Sequence, residues 1–293
     1  MEKSCEIIPN YTERNLEVLN LFIRKLKLDD KGELTIKKYK ACLGRFLSDL
    51  SVPLEKLRPE HVRIWLSINY DDKKAATFHS VFWILSSFFK FCLAKGFVDR
   101  RLIKKRWLPP TEDRIIKYLT RSELAAINYH AEKLPLRERV IVEFLLSSGC
   151  RQFEAQNLNR KDIDIKNTSA IIEGKGDKTR TVFFSTKCAL LLQEYLNSRT
   201  DDEEALFINI YGKRASKYIY FKVVRNLGKS ASLDKSISPH TLRHTYATHM
   251  LAKGKSINFI SKQLGHEDLN TTRVYAKILT DDVIDEYNRA MGW

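Results

Sequence analysis

The stretch PHTLRHTYATHM, Pro239 to Met250, gathers His240, Arg243, His244 and His249 into one basic segment. Two chemistries use such a set. A zinc site would take His240 and His244 with a third ligand. No glutamate of the HExxH kind lies between them, and Arg243 puts a permanent positive charge beside the cation, so no metal is expected. Anion recognition fits better: a guanidinium aims forked N–H donors at phosphate oxygens, and an imidazole beside it adds further hydrogen bonds. Taken alone, the stretch fits an ordinary exposed basic helix equally well.

Three other stretches carry residues of matching chemistry. SSGCRQFEAQNLNRKDID supplies Arg151 and Glu154, three apart and so on one helix face. GKGDKTR supplies Lys175 at a turn, with Lys178 and Arg180 following. QLGHEDLNTTRVYAK supplies His266 after a glycine, and Tyr275. Each is weak in isolation, since a turn lysine is usually just solvated and a helical tyrosine usually packs.

These residues need elements to hold them. Ser238 and Pro239 read as N-cap and first-turn proline, so a helix starts at the opening stretch and puts His240, Arg243 and His244 on neighbouring faces. SAIIEGKGDKTRTVFFS alternates around Gly174 to Asp177, a strand–turn–strand pattern. Helices are expected before it and again from about Thr186. Residues 12–100 read as a four-helix bundle. Its first helix is expected to bury Leu16, Leu19, Ile23 and Leu26, and its second Ile36, Tyr39, Leu43, Phe46 and Leu50. Pro59 opens the third, and the fourth, the most apolar, stops at Gly96. DRRLIKKRWLPPTEDR breaks the periodicity and marks a linker. The expected fold is mainly α with a small antiparallel β-sheet: a helical domain over 1–110 with its linker, and an α+β domain over 111–293.

The chain has 293 residues, 43% hydrophobic and 30% charged, with a net charge of +15. Lys and Arg outnumber Asp and Glu by 22 to 13 in residues 1–110 and by 29 to 23 in residues 111–293. Both parts are basic, as suits a polyanion such as nucleic acid. No uninterrupted apolar run approaches the ~20 residues that span a bilayer, and the first residues lack a secretory signal pattern. Five scattered cysteines without CxxC spacing argue against a disulfide framework or a zinc site. A cytoplasmic protein without membrane partners is expected.

Taken together, the four ordered segments resemble the tyrosine recombinases, also called phage-type integrases. The family's first box, T-G-L-R-x-S-E-L-x-x-L-x-W-x-D-I, is met by Ser148 to Arg151, Glu154, Leu158, Asp162 and Ile163. Its hairpin G-K-G-x-K-x-R is met from Gly174 to Arg180. H-x-L-R-H-x-x-A-T is met by His240, Leu242, Arg243, His244, Ala247 and Thr248. L-G-H followed by T-x-x-Y is met by Leu264 to His266, Thr272 and Tyr275. Phe153, Arg160 and Phe183 depart from the pattern at positions that carry no catalytic role in it.

The resemblance implies a site-specific recombinase that needs no cofactor and cuts duplex DNA through a 3′-phosphotyrosyl intermediate. Tyr275 would be the nucleophile, Arg151 and Arg243 a clamp on the non-bridging oxygens, and Lys175 the acid for the departing 5′-oxygen. His240 and His266 would add hydrogen bonds, His240 being the better candidate to accept the tyrosine proton. Glu154 would orient Arg151, while His244 and His249 would pack or support. Candidate DNA contacts are Lys37, Lys38, Lys40, Lys73, Lys74, Lys104, Lys105, Arg106, Lys178 and Arg180. The family acts as a tetramer on two duplexes linked by C-terminal segments, for which TDDVIDEYNRAMGW is the candidate here. The length favours a compact Xer-like enzyme, resolving DNA multimers or integrating and excising elements, over a lambda-type integrase. A type IB topoisomerase-like activity and a non-catalytic DNA-binding protein are the alternatives.

Overall fold

The protein is described from a computed structural model covering residues 13–50, 52–110, 116–174, 179–266, 268, 271–272 and 274–275. The chain divides into two compact units, Met1–Arg114 and Ile115–Trp293.

The first unit contains α1 (Glu13–Leu28), α2 (Glu33–Ser48), α3 (Pro59–Tyr70) and α4 (Ala75–Ala94). Pro59 occupies the first turn of α3, where its missing N–H costs nothing. Helix α4 is long and apolar enough to cross a membrane by length and composition alone. Its apolar side chains instead form the middle of the bundle: Phe82, Leu85, Phe88 and Cys92 are all but inaccessible. Phe88 meets Phe22 of α1 edge-on at 5.4 Å, and Phe89 meets Phe46 of α2 at 5.6 Å, the offset geometry that aromatic quadrupoles favour.

Helix α1 buries Val18, Leu19, Phe22 and Leu26. The stripe expected from the sequence is therefore turned: Leu16 is exposed and Ile23 only partly covered. Both stripes satisfy helical spacing, and the bulk of Phe22, which reaches Tyr39 and Phe91 as well as Phe88, selects between them.

The second unit runs α5 (Arg121–Ala131), α6 (Leu136–Ser148), α7 (Gln152–Asn157), β1 (Ile163–Asp164), β2 (Ser169–Glu173), β3 (Thr179–Phe183), α8 (Thr186–Asn197), α9 (Lys217–Ser230), α10 (Pro239–Ala252) and α11 (Ile257–Leu264). The strands form one antiparallel sheet in the order β1-β2-β3, with Ala170 opposite Val182 and Ile172 opposite Arg180. The two-residue β1 is too short to have been read from alternation. Helix α6 packs against α8 and α10, and the core runs through Val140, Phe144, Val182, Leu192, Phe207, Tyr220 and Leu242. Helix α10 starts as its sequence demands: Ser238 caps it by accepting the Thr241 N–H, and Pro239 takes the first position.

Candidate active site

Four chain segments meet around Glu154, and the local sequence explains each approach. Helix α6 stops because Gly149 adopts a left-handed conformation, φ 64°. A Cβ on Gly149 would lie 2.4 Å from the Tyr246 ring, so only glycine allows α10 this close. The chain then turns into α7 with Arg151 as its N-cap. The Arg151 backbone N–H donates to Glu154 Oε2 at 2.6 Å, and its guanidinium donates to Oε1 at 2.8 Å. Glu154 thus fixes both the start of α7 and the direction of the Arg151 side chain.

Glu154 is 5% exposed and also receives Arg180, whose two terminal nitrogens reach its oxygens at 2.9 and 2.8 Å. This corrects the sequence reading of Arg180 as a DNA contact. Strand alternation explains it: Arg180 shares a face with fully buried Val182, while Thr179, Thr181 and Phe183 point outward. Its Nε donates to the Gln263 carbonyl at 3.2 Å, so the whole fork is turned into the protein. Burial by itself pushes the Glu154 pKa up. Hydrogen bonds from Arg180 and from the Arg151 backbone outweigh it and leave the carboxyl at about 2.

The same arginines converge on the C-terminus of α11. Arg243, 4% exposed, donates to the carbonyls of Gly149 and Leu264, both at 2.8 Å. Arg151 donates to Leu264 and Gly265 at 3.3 and 3.0 Å. The last carbonyls of a helix lack intrahelical partners and carry the negative end of its dipole, so they suit guanidinium groups. Gly265 ends the helix at φ +65°, and a Cβ there would lie 2.7 Å from the Arg180 guanidinium. Burial, then the charge of Arg151, lower the Arg243 pKa to about 10. It stays protonated at neutral pH.

His266 follows directly. Arg243 can only donate, so His266 Nε2, 2.9 Å away, is the acceptor, and Nδ1–H donates to Thr272 Oγ1 at 2.8 Å. Burial and the surrounding arginines hold this ring at about 4, neutral at pH 7. Tyr275 is 2% exposed, and its hydroxyl lies 2.8 Å from Nδ1 of His244. The ring touching that hydroxyl is therefore His244, which the sequence reading assigned to packing or support; His240, the expected proton acceptor, is exposed on the first turn of α10. Burial, then Arg243 and Arg151, lower the His240 pKa. His249 is structural: its Nε2 meets the Leu119 carbonyl at 3.0 Å. Burial raises the Tyr275 pKa, and Arg243 and Arg151 partly oppose it.

The structure thus gathers Arg151, Glu154, Arg243, His266 and Tyr275 around the end of α11. Lys175 and Lys178 lie outside the described residues. In the first unit, Lys37, Lys38, Lys40, Lys73, Lys74, Lys104, Lys105 and Arg106 are all exposed. Sequence reasoning missed the inward turn of Arg180, for which the alternation of β3 was the available signal. It also missed the α11 carbonyls, for which glycine after an amphipathic run was the signal. A positively charged cradle with two arginines, neutral imidazoles and a buried phenol can bind a phosphate diester and offer an oxygen nucleophile to it.

Comparison with known proteins supplies the remaining context. The profile of the phage integrase family matches residues 117–281. Tyrosine recombinase XerC of Thermodesulfovibrio yellowstonii is 31% identical over 291 residues, covering 92% of this chain and 94% of the relative. Tyrosine recombinase XerD of Bifidobacterium longum is 31% identical over 188 residues, 60% of each chain. Among solved structures, XerH site-specific recombinase bound to palindromic difH substrate, in a post-cleavage complex, superposes with a TM-score of 0.76. It is 22% identical, with 92% of this chain and 83% of that one covered.

Proposed function

This chain belongs to the phage integrase family as a Xer-like tyrosine recombinase, and we propose that it cuts and rejoins duplex DNA with Tyr275 as the attacking residue. The Tyr275 oxygen attacks the scissile phosphorus, the bond from phosphorus to the 5′-oxygen breaks, and a 3′-phosphotyrosyl ester and a free 5′-hydroxyl result. The ester keeps the energy of the broken bond, so resealing by another 5′-hydroxyl needs no nucleotide cofactor.

Negative charge grows on the non-bridging oxygens during the attack, and Arg151 and Arg243 donate hydrogen bonds to them. Backbone carbonyls hold both guanidiniums beforehand, and Glu154 also holds Arg151, so little reorganisation accompanies the reaction. His266 acts through Arg243, to which it is bonded, and Thr272 fixes its ring. His240, exposed beside the arginines, contacts the phosphate. Lys175 protonates the departing 5′-oxygen. Glu154 orients Arg151, and Arg180 holds Glu154.

The exposed cations of the first unit, with the linker residues Lys104, Lys105 and Arg106, contact the DNA backbone and make binding salt-dependent. The protein works as an oligomer on DNA, with four copies pairing two sites and the segment 280–293 joining neighbours.

The observation that carries this reading is the meeting of Arg151, Arg243, His266 and Tyr275 at one helix end, although they come from distant parts of the chain. A duplex nicked beside the target site, from which the cut fragment diffuses away, tests it. The expected result is a covalent protein–DNA adduct that Tyr275→Phe abolishes; no adduct, or one that survives the substitution, overturns the reading. Exchange between two sites on one plasmid, beyond relaxation of supercoils, is the expected outcome with the intact protein.

A further inference from the structure

We propose that His244, and not His240, accepts the Tyr275 proton as the phenol attacks. This rests on the recombinase reading above and names the group that activates its nucleophile. The geometry is direct: Nδ1 of His244 lies 2.8 Å from the Tyr275 oxygen, within general-base reach, and the two rings are tilted at 5.7 Å between centroids. His244 is one helical turn beyond His240 on α10, so the same helix presents one imidazole to the exposed rim and one to the buried phenol. His249 faces away, bonded to Leu119.

The charge state suits a base. The groups facing His244 are His240 and Arg243 on its own helix, His266 beyond α11, and Tyr275. Burial first, then His240 and Arg243, lower the His244 pKa to about 4. At neutral pH the ring is therefore uncharged. Tyr275, pushed up by burial, remains a phenol that donates to the Nδ1 lone pair, and the ring proton sits on Nε2. In the cleavage step the phenol O–H bond breaks and its proton passes to His244 Nδ1 as the oxygen–phosphorus bond forms. Resealing reverses this: the imidazolium returns the proton to the departing tyrosine oxygen. No external proton donor or acceptor enters on the tyrosine side.

A base as weak as this still works, because the imidazolium it becomes is formed only as the cradle fills with phosphate charge. The negative charge that loads Arg151 and Arg243 also favours the proton on His244. Proton transfer and phosphate binding are coupled in one small volume.

The test uses the full-length protein and a nicked duplex whose scissile 5′-bridging oxygen is replaced by sulfur. A thiolate leaves without protonation, so the acid supplied by Lys175 falls silent and only activation of the nucleophile is read. The intact protein is expected to form adduct at a rate nearly flat from pH 6 to 9. His244→Gln is expected to be slowed by about 10²-fold or more at pH 7, with a rate that climbs about tenfold per pH unit as the phenol must ionise unaided. His240→Gln is expected to keep the flat profile. His244→Ala supplemented with free imidazole should regain part of the rate, which separates a missing base from a damaged fold. An unchanged rate in His244→Gln, a uniform loss with a flat profile, or a lack of imidazole rescue overturns the assignment while leaving the recombinase reading intact. If the intact protein forms no adduct, or Tyr275→Phe still forms one, the recombinase reading falls and this assignment with it.

Discussion

The two units of this protein bury different things. The first packs an aromatic and aliphatic core, and among its described residues Asn15 is the one polar side chain that is buried. The second buries Ser148, Glu154, Thr241, Arg243, Thr245, Thr248, Ser261, Gln263 and Thr272, most of them within or beside the cradle. Shape organises the bundle; directed hydrogen bonds around charge organise the catalytic unit. A core of matched shapes tolerates changes that conserve volume, whereas a buried charge tolerates the loss of no partner. Under the proposed function the contrast has a logic, since the bundle would need only to stand behind its surface lysines, while the cradle would have to present guanidinium groups in fixed directions.

The contrast can be broken or sharpened experimentally. The largest effect is expected from Glu154→Gln, which leaves Arg180 and Arg151 without their carboxylate and should cost about 3–5 kcal/mol at pH 7. The folded carboxyl titrates at about 2, below its ordinary value of 4.5. Its contribution is therefore complete above about pH 4.5 and disappears as the pH falls toward 2. Denaturant titrations at pH 7 and pH 3.5 should show the penalty shrinking with acid, confined to the transition of the second unit. A pH-independent penalty would remove the electrostatic half of the comparison.

Next comes Arg151→Lys, which keeps the charge but loses the fork that spans Glu154, Leu264 and Gly265. Single-turnover cleavage should slow by about 10²–10³-fold, roughly 2.7–4 kcal/mol, with DNA affinity little changed in a gel-shift assay. In the bundle, Leu43→Met should cost less than about 1.5 kcal/mol and leave cleavage untouched; a large cost there would show that the first unit is as exacting as the second. Smallest is Lys104→Gln. Affinity for duplex DNA should fall by less than about 1 kcal/mol, and the slope of log affinity against log salt should flatten by about 0.9 if one phosphate contact is lost.

How far the sequence could be read follows the same division. The helices, the hairpin and the cap at Ser238 were legible because each has a local signature, and the four ordered motifs announced Arg151, Arg243, His266 and Tyr275 as partners. The rotation of the α1 stripe was not legible. Two stripes fit the spacing, and the choice depends on where Phe88 and Phe91 of another helix lie. Arg180 was misjudged for a similar reason: a basic residue after a basic turn looks solvated until Glu154 and Gln263 are brought beneath it. The His244 contact with Tyr275 joins positions on separate segments, and nothing in either segment alone selects His244 over His240.

Three guanidinium groups crowd the end of α11 around a single carboxylate that bonds two of them, and the pKa of Arg243 is lowered by burial first and then by the charge of Arg151. A folded state that keeps surplus like charge in so small a volume is a sprung trap, held open by the rest of the domain and discharged by the arrival of an anion. Substrate should therefore tighten the very domain that cuts it, and inorganic phosphate or sulfate alone should raise that domain's melting temperature while leaving the bundle's unmoved.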